Sequence, residues 1–288
     1  MLNKNLPMDK IFLFSIIQLI AYGSLMMYSA SSHVAEQNFG NHLHYLLKHI
    51  RWIVIGIILY QLVSKLKYQQ LKTIIPFIVL STWFIIILAF YLNPGTKPSR
   101  WLIINSTNWM TTSDMARIML IIYTAYFIDK YPEYLNNVRF MLMRFTPVPL
   151  ITLLLILKQP DLSSTIIIGL IILSMLLISK VSYKYIGILI LIASMFLTYK
   201  VSTNDYMYAR LTKWFDSFDS ESYQKTDNQQ RKALMALGSG GTFGKGLGNS
   251  ELKSGYLPAA HTDYILPIIG EEYGFFGIAY VFLIFMLI

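Results

Sequence analysis

Long apolar runs, separated by short polar segments, follow one another along the whole chain. A helix needs about 20 apolar residues to cross the hydrocarbon core of a bilayer, which is about 30 Å thick. The fifth run is short and is interrupted by Pro147 and Pro149, so its existence is better defined than its limits. The pattern predicts an all-α, polytopic integral membrane protein with eight transmembrane helices, at residues 11–31, 47–64, 74–92, 112–128, 145–157, 163–179, 183–200 and 265–288.

The basic residues predict the orientation of these helices. If the N-terminus is cytoplasmic, ten lysines and arginines fall in the inner segments and five in the short outer ones. Because lysine and arginine are enriched in cytoplasmic loops, this favours a cytoplasmic N-terminus. Residues 201–264 then form one long outer loop within a single membrane domain of residues 1–288.

Composition narrows the classes of function. Hydrophobic residues make up 55% of the chain and charged residues 14%, whereas a soluble domain carries about 25% charged residues. This excludes an ordinary soluble enzyme, a disordered chain and a coiled coil. The absence of cysteine excludes thiol catalysis, thiolate metal sites and disulfides. The net charge of +9 does not point to nucleic acid, because the basic residues lie beside apolar runs.

Polar groups within the apolar runs are costly and need an explanation. Asp114 and Arg117 are three residues apart and therefore share a helix face. They form either a buried ion pair or the wall of a polar cavity in which Arg117 meets an anion, and the two interpretations are compatible. Farther along, Asp161 or Ser163 is expected to cap the helix that follows Pro160.

Six glycines lie among residues 238–248. The phosphate-loop pattern fails, because Lys245 is followed by Gly246 and not by serine or threonine. The segment is either a flexible surface turn or a backbone that approaches a diphosphate closely and donates N–H groups to it.

The last apolar run contains three acidic residues. Asp263 lies at its start, where it or Thr262 suits a helix N-cap and Pro267 suits the first turn. Alternatively, Asp263 is a catalytic carboxylate at the membrane boundary, a position that suits a general base. Glu271 and Glu272 lie deeper, Glu271 by about 12 Å. Their side chains diverge by about 100°, so we expect one to meet a cation such as Arg117 and the other to be protonated or hydrogen-bonded.

Taken in order, these motifs resemble the SEDS proteins, the FtsW/RodA/SpoVE group of bacterial cell-wall polymerases. The resemblance covers nearly all of the chain, and the sequence looks more like the FtsW branch of the family than the RodA branch. The matching segments are Tyr28–Ser31, Arg100-Trp101, Gln159–Asp161, Tyr223-Gln224, and residues 236–241 (ALGSGG), 244–248 (GKGLG), 257–265 (LPAAHTDYI) and 270–277 (GEEYGFFG).

The resemblance implies a peptidoglycan glycosyltransferase of the bacterial cytoplasmic membrane. Such proteins polymerise lipid II into glycan strands on the outer face, in cell division or cell-shape maintenance. They work with a class B penicillin-binding protein (a transpeptidase) and with other divisome or elongasome membrane proteins. Asp263 takes the catalytic position. A Mg²⁺ or Mn²⁺ ion could help to hold the diphosphate, although no motif demands a metal. The implied substrate or diphosphate ligands are Arg100, Arg210, Gln224, Gly240, Gly241, Lys245, His261 and Thr262, and the implied cavity network is Asp114, Arg117, Gln159, Asp161, Glu271 and Glu272.

The chain departs from the family pattern in a few places. Asp114 and Arg117 stand where the family has glutamate and lysine, and Ser163 replaces a glycine. The family has about ten spans, so we expect a C-terminally truncated sequence in which two spans would follow Ile288. Two other functions remain open: a lipid II flippase, with the buried charges lining a headgroup path, or a non-catalytic scaffold of a division complex.

Overall fold

A helix covers each of the eight apolar segments in the computed structural model, which describes residues 10–66, 68–92, 101–104, 107–159, 161–203, 208–209, 212, 229–251 and 262–288. The helices are α1 (Lys10–Phe39), α2 (His44–Ser64), α3 (Tyr68–Leu92), α4 (Thr112–Lys130), the short α5 (Val138–Phe140), α6 (Pro147–Lys158), α7 (Leu162–Ile178), α8 (Tyr183–Thr203), α9 (Gln229–Ser239) and α10 (Ile265–Leu287). A 3₁₀ turn (Pro132–Tyr134) precedes α5, and a π-helix (Met141–Phe145) follows it.

Helix length and composition make the chain a multi-pass membrane protein. Among the described residues, five helices are long and apolar enough to cross a bilayer: α1, α2, α3, α8 and α10. A sixth span results if α5, the π-helix and α6 act as one, although they bend by 50° at their junction. Helix α7 is apolar but shorter. The polytopic fold is confirmed, while the count of eight spans stays a prediction.

The fifth apolar run differs from its prediction. Pro147 and Pro149 do not interrupt a helix but lie in the first turn of α6, where a missing N–H costs nothing. The N–H of Thr146 donates to Met141 O at 3.1 Å and so ends the π-helix. A further difference is a β-hairpin, β1 (Trp101–Ile104) and β2 (Thr107–Thr111), which an all-α pattern does not predict.

The described chain divides into two compact units. The first comprises Met1–Lys65 and Arg210–Ile288, and the second comprises Leu66–Ala209. In the second unit, apolar residues of α3, α4, α6 and α7 form the core, and Trp83 Nε1 donates to Thr152 Oγ1 at 2.9 Å. The prediction of a single domain for residues 1–288 stays a prediction.

In the first unit, α10 packs against α1 and α9. Met26 and Ala30 of α1 are buried with Ile268 and Ile269 of α10. Helix α2 contacts α1 but has no buried residue, as expected of a helix whose surface faces lipid. This unit contains the glycine-rich segment and the three acidic residues of the last apolar run.

Candidate functional site

Helix α10 is broken at Gly274, where φ is 65° and ψ is −157°. This conformation is open only to glycine, and it leaves the neighbouring backbone groups without partners in the helix. The glycine-rich segment supplies acceptors for two of them. The N–H of Phe275 donates to Gly241 O at 3.0 Å, and the N–H of Phe276 donates to Thr242 O at 3.4 Å.

The same segment also supplies donors to the helix. The N–H groups of Lys245 and Gly246 donate to the carbonyl oxygens of Glu271 and Glu272, each at 2.9 Å. Backbone groups at membrane depth must be satisfied within the protein. The glycine-rich segment therefore completes the hydrogen bonding of a broken transmembrane helix.

This packing explains why the segment is rich in glycine. A Cβ on Gly244, where φ is 80°, would lie 2.2 Å from Glu272 O, and a Cβ on Gly240 would lie 1.9 Å from Gly270 O. The segment is therefore not a flexible surface turn. Its close backbone approach is made to α10, and the N–H groups of Lys245 and Gly246 are committed there. A diphosphate contact at Gly240 or Gly241 stays a prediction.

Each of the two adjacent glutamates has its own partner. Glu271 is fully buried and accepts from Lys245 Nζ at 2.9 Å, from Ser250 Oγ at 2.6 Å and from the N–H of Glu251 at 3.2 Å. Glu272 is 1% exposed, and Ser29 Oγ lies 2.7 and 2.8 Å from its two oxygens. One acid thus meets a cation and the other a hydroxyl, as their diverging directions predict. The cation at Glu271 is Lys245, and a contact of either glutamate with Arg117 stays a prediction.

Lys245 links the loop to the helix by charge. Its Nζ lies 3.3 Å from Glu251, an exposed side chain, and 2.9 Å from the buried Glu271. The hydrogen bond to Glu271 raises the pKa of Lys245 above the ordinary lysine value. The ammonium group is therefore charged at neutral pH and shared between two carboxylates.

A polar cleft of about 740 Å³ opens above this cluster, between the second half of α1 and the end of the glycine-rich segment. Ser29 and Ser250 line it and bind the two buried glutamates below, so the floor of the cleft is held by hydrogen bonds. Ser29 lies in the matching segment Tyr28–Ser31, but the sequence analysis predicted neither serine as a partner of a glutamate. The signal that could have found Ser29 is the group of three serines among residues 29–32, within an apolar span. The remaining lining residues are Tyr28, Ser32, His33, Glu36, His42, Leu247, Gly248, Asn249 and Glu251.

Asp263 lies exposed in the turn before α10. The N-cap residue of α10 is Tyr264, which makes no capping hydrogen bond through its side chain. The interpretation of Asp263 or Thr262 as the N-cap is therefore wrong, whereas Pro267 does lie in the first turn. Within the described part of the chain, the carboxylate of Asp263 has no hydrogen bond or ion pair.

Asp114 and Arg117 of α4 form the expected ion pair, with 3.3 Å between Oδ1 and Nη2. The prediction that this pair is buried is wrong, because 59% of the Asp114 side chain and 35% of the Arg117 side chain are exposed. An ion pair in this position contributes little to stability. Arg117 Nε is buried, and it has no hydrogen-bond partner among the described residues.

The turn between α6 and α7 is held by its polar residues. Asp161 caps α7, accepting from the N–H of Ser164 at 3.2 Å, so the expected cap is confirmed at Asp161. Gln159 is fully buried, and its Oε1 accepts from Thr112 Oγ1 at 2.7 Å.

Several predicted ligands lie outside the described residues: Arg100, Arg210, Gln224 and His261. Within the described ranges, no group of three or more histidine, aspartate or glutamate side chains is placed to hold a metal ion.

Comparison with known proteins adds the family. The family model for FtsW/RodA/SpoVE proteins, described as cell cycle protein, matches residues 9–288. A Geobacter metallireducens protein named probable peptidoglycan glycosyltransferase FtsW is 29% identical over 286 residues, which cover 97% of this chain and 75% of the relative. Proteins of the same name from Trichlorobacter lovleyi and Hydrogenovibrio crunogenus are 30% and 31% identical, covering 94% and 97% of this chain and 71% and 72% of those relatives.

Proposed function

Because the chain belongs to the FtsW/RodA/SpoVE family, we propose that it is a peptidoglycan glycosyltransferase that polymerises lipid II into glycan strands. It falls on the FtsW side of the family, since the relatives compared above carry that name. The proposal places the N-terminus in the cytoplasm and the reaction on the outer face of the cytoplasmic membrane. The partners would be a class B penicillin-binding protein and other membrane proteins of the division machinery.

The proposed reaction needs one general base. A hydroxyl group of the acceptor sugar attacks the anomeric carbon of the donor, forming the new glycosidic bond as the bond to the lipid diphosphate breaks. Asp263 takes the hydroxyl proton, and the diphosphate leaves as a stable anion that needs no proton. Basic side chains, with or without a divalent cation, stabilise the negative charge of the leaving group.

The observation that carries this proposal is the environment of Asp263. Its carboxylate is exposed and unpaired within the described chain, as a base that must meet a sugar hydroxyl requires. Two turns deeper, α10 is held by the contacts of Glu271 and Glu272, which limits the movement of the helix that follows Asp263. A rigid support of this kind favours a defined catalytic geometry.

The diphosphate is assigned to basic residues other than Lys245. Lys245 already neutralises Glu271 and contacts Glu251, so binding an anion would leave a buried carboxylate without its cation. We therefore assign the leaving group to Arg100 and Arg210 and give Lys245 the role of holding the loop.

The test is glycan-strand formation from lipid II by purified protein together with its partner. Asp263→Asn keeps the shape of the side chain but removes its basicity, and Asp263→Ala removes both, so we expect both variants to be folded and inactive. Glu133→Gln, at an exposed acid in the second unit, is the matched control and is expected to keep full activity. Normal polymerisation by Asp263→Asn would refute the base role. A flippase or a scaffold predicts that Asp263 is dispensable.

A further inference from the structure

An apolar groove of about 380 Å³ lies among α6, α7 and α8 in the second unit. Leucine and isoleucine side chains form most of its walls, and Gly169 of α7 lies among them. Its volume falls within the range of about 300–1,000 Å³ that is typical of pockets for small organic ligands.

The groove exists because α8 is anchored mainly at its first turns. Tyr185 and Ile186 are buried, but from Gly187 to Tyr199 no residue of α8 is buried. At the anchored end, the hydroxyl of Tyr185 lies 2.9 Å from Thr146 Oγ1. One end of an otherwise apolar groove is therefore marked by two hydroxyl groups.

Two basic residues adjoin in sequence the residues that line this end of the groove. Arg144 directly precedes Phe145 and Thr146, which line the groove, and Lys184 directly precedes Tyr185. Both basic side chains are exposed, and within the described part of the chain neither has an acidic partner. A ligand that suits this arrangement has a long apolar chain and an anionic head.

We propose that the groove binds one acyl chain of an anionic glycerophospholipid, with the lipid phosphate held by Arg144 and Lys184. Bulk lipid would fill an apolar groove without regard to headgroup, whereas two unpaired bases at its polar end favour a negative one. With the N-terminus in the cytoplasm, this end lies in the inner leaflet. The site is thus separate from the proposed chemistry on the outer face and does not depend on it.

The experiment measures lipid retention by the purified full chain in detergent, using native mass spectrometry with dioleoylphosphatidylglycerol or dioleoylphosphatidylcholine. We expect one phosphatidylglycerol molecule to be retained at least about tenfold more tightly than phosphatidylcholine, since two basic residues act on its charge. Arg144→Gln and Lys184→Gln should each weaken phosphatidylglycerol binding by about fivefold and leave phosphatidylcholine unchanged. Lys10→Gln, at another helix end, is the control and should change neither.

A second pair of variants tests the groove itself. A Cβ on Gly169 or on Gly187 would meet no atom within 4 Å, but only Gly169 lines the groove. Gly169→Leu should therefore abolish retention, and Gly187→Leu should preserve it. Equal retention of the two lipids, indifference to both bases, or displacement of phosphatidylglycerol by a lower concentration of polyprenyl phosphate would each overturn the proposal. If Gly169→Leu does not fold, Arg144→Gln and Lys184→Gln still test whether the groove selects an anionic lipid.

Discussion

Replacing Gly244 by alanine tests whether the glycine-rich segment holds α10 together. At φ 80° an alanine is strained by about 1–2 kcal/mol. Its Cβ would also lie 2.2 Å from Glu272 O, so the segment must move away from the helix. That movement breaks the hydrogen bonds from the N–H groups of Lys245 and Gly246, each worth about 1 kcal/mol. The total is about 3–4 kcal/mol.

Gly248 offers the matched control. Its φ is 82°, nearly the same as that of Gly244, but a Cβ there would meet no atom within 4 Å. Gly248→Ala should therefore show the backbone strain alone, about 1–2 kcal/mol. With about 2–4 °C of melting temperature lost per kcal/mol, we expect a loss of about 10 °C for Gly244→Ala and about 4 °C for Gly248→Ala.

The assay heats the purified protein and measures the monodisperse fraction by size exclusion. Equal melting temperatures for the two alanine variants would refute the reasoning, because the close approach to Glu272 is what distinguishes the two sites. A loss in Gly248→Ala larger than in Gly244→Ala would refute it as well.

Three further predictions concern single contacts. Lys245→Met should lower the melting temperature by leaving the buried Glu271 without its cation, and adding Glu271→Gln should restore part of the loss; a double variant less stable than Lys245→Met would contradict this. Because the pKa of Lys245 is raised, its contribution is complete below the ordinary lysine pKa of about 10.4 and is lost as the pH rises through the higher folded value. The melting temperature of the wild type should therefore fall at alkaline pH more than that of Lys245→Met. Identical alkaline profiles of the two proteins would contradict this role of Lys245. Trp83→Phe removes the donor to the buried Thr152 hydroxyl and should cost about 1 kcal/mol in thermal unfolding, whereas an unchanged melting temperature would show that the bond contributes nothing.

The positions of the long helices could be predicted from the lengths of the apolar runs in the sequence. Crossing a bilayer and forming an apolar core both demand long apolar segments. The lengths of these runs could not reveal the β-hairpin, whose strands are only four and five residues long, or the π-helix before α6, because a one-residue widening of a helix leaves no mark on hydropathy. The cap at Asp161 was predictable because capping depends on neighbouring residues.

The candidate site was only partly predictable. That Glu271 and Glu272 need partners follows from the cost of burying charge. Which partners they find does not follow, because Lys245 lies 26 residues away and Ser29 lies 243 residues away. Of the two interpretations of the glycine-rich segment, the flexible surface turn was wrong for a related reason. A glycine in the sequence indicates a positive φ or a close approach of the backbone to another part of the protein. Which part it approaches, here α10, depends on tertiary packing.

The paired acids of α10 have a consequence for biogenesis. Its 13 leucine, isoleucine, phenylalanine and valine residues favour membrane insertion by about 6 kcal/mol in total, and two charged side chains oppose it by about the same amount. Alone at the translocon, the segment has no decisive preference for lipid over water. Ser29 and Lys245 both precede α10 in the chain, so Ser29 can donate a hydrogen bond to Glu272 and Lys245 can neutralise the charge of Glu271. We therefore expect the insertion of α10 into the membrane to depend on its contacts with earlier parts of the chain.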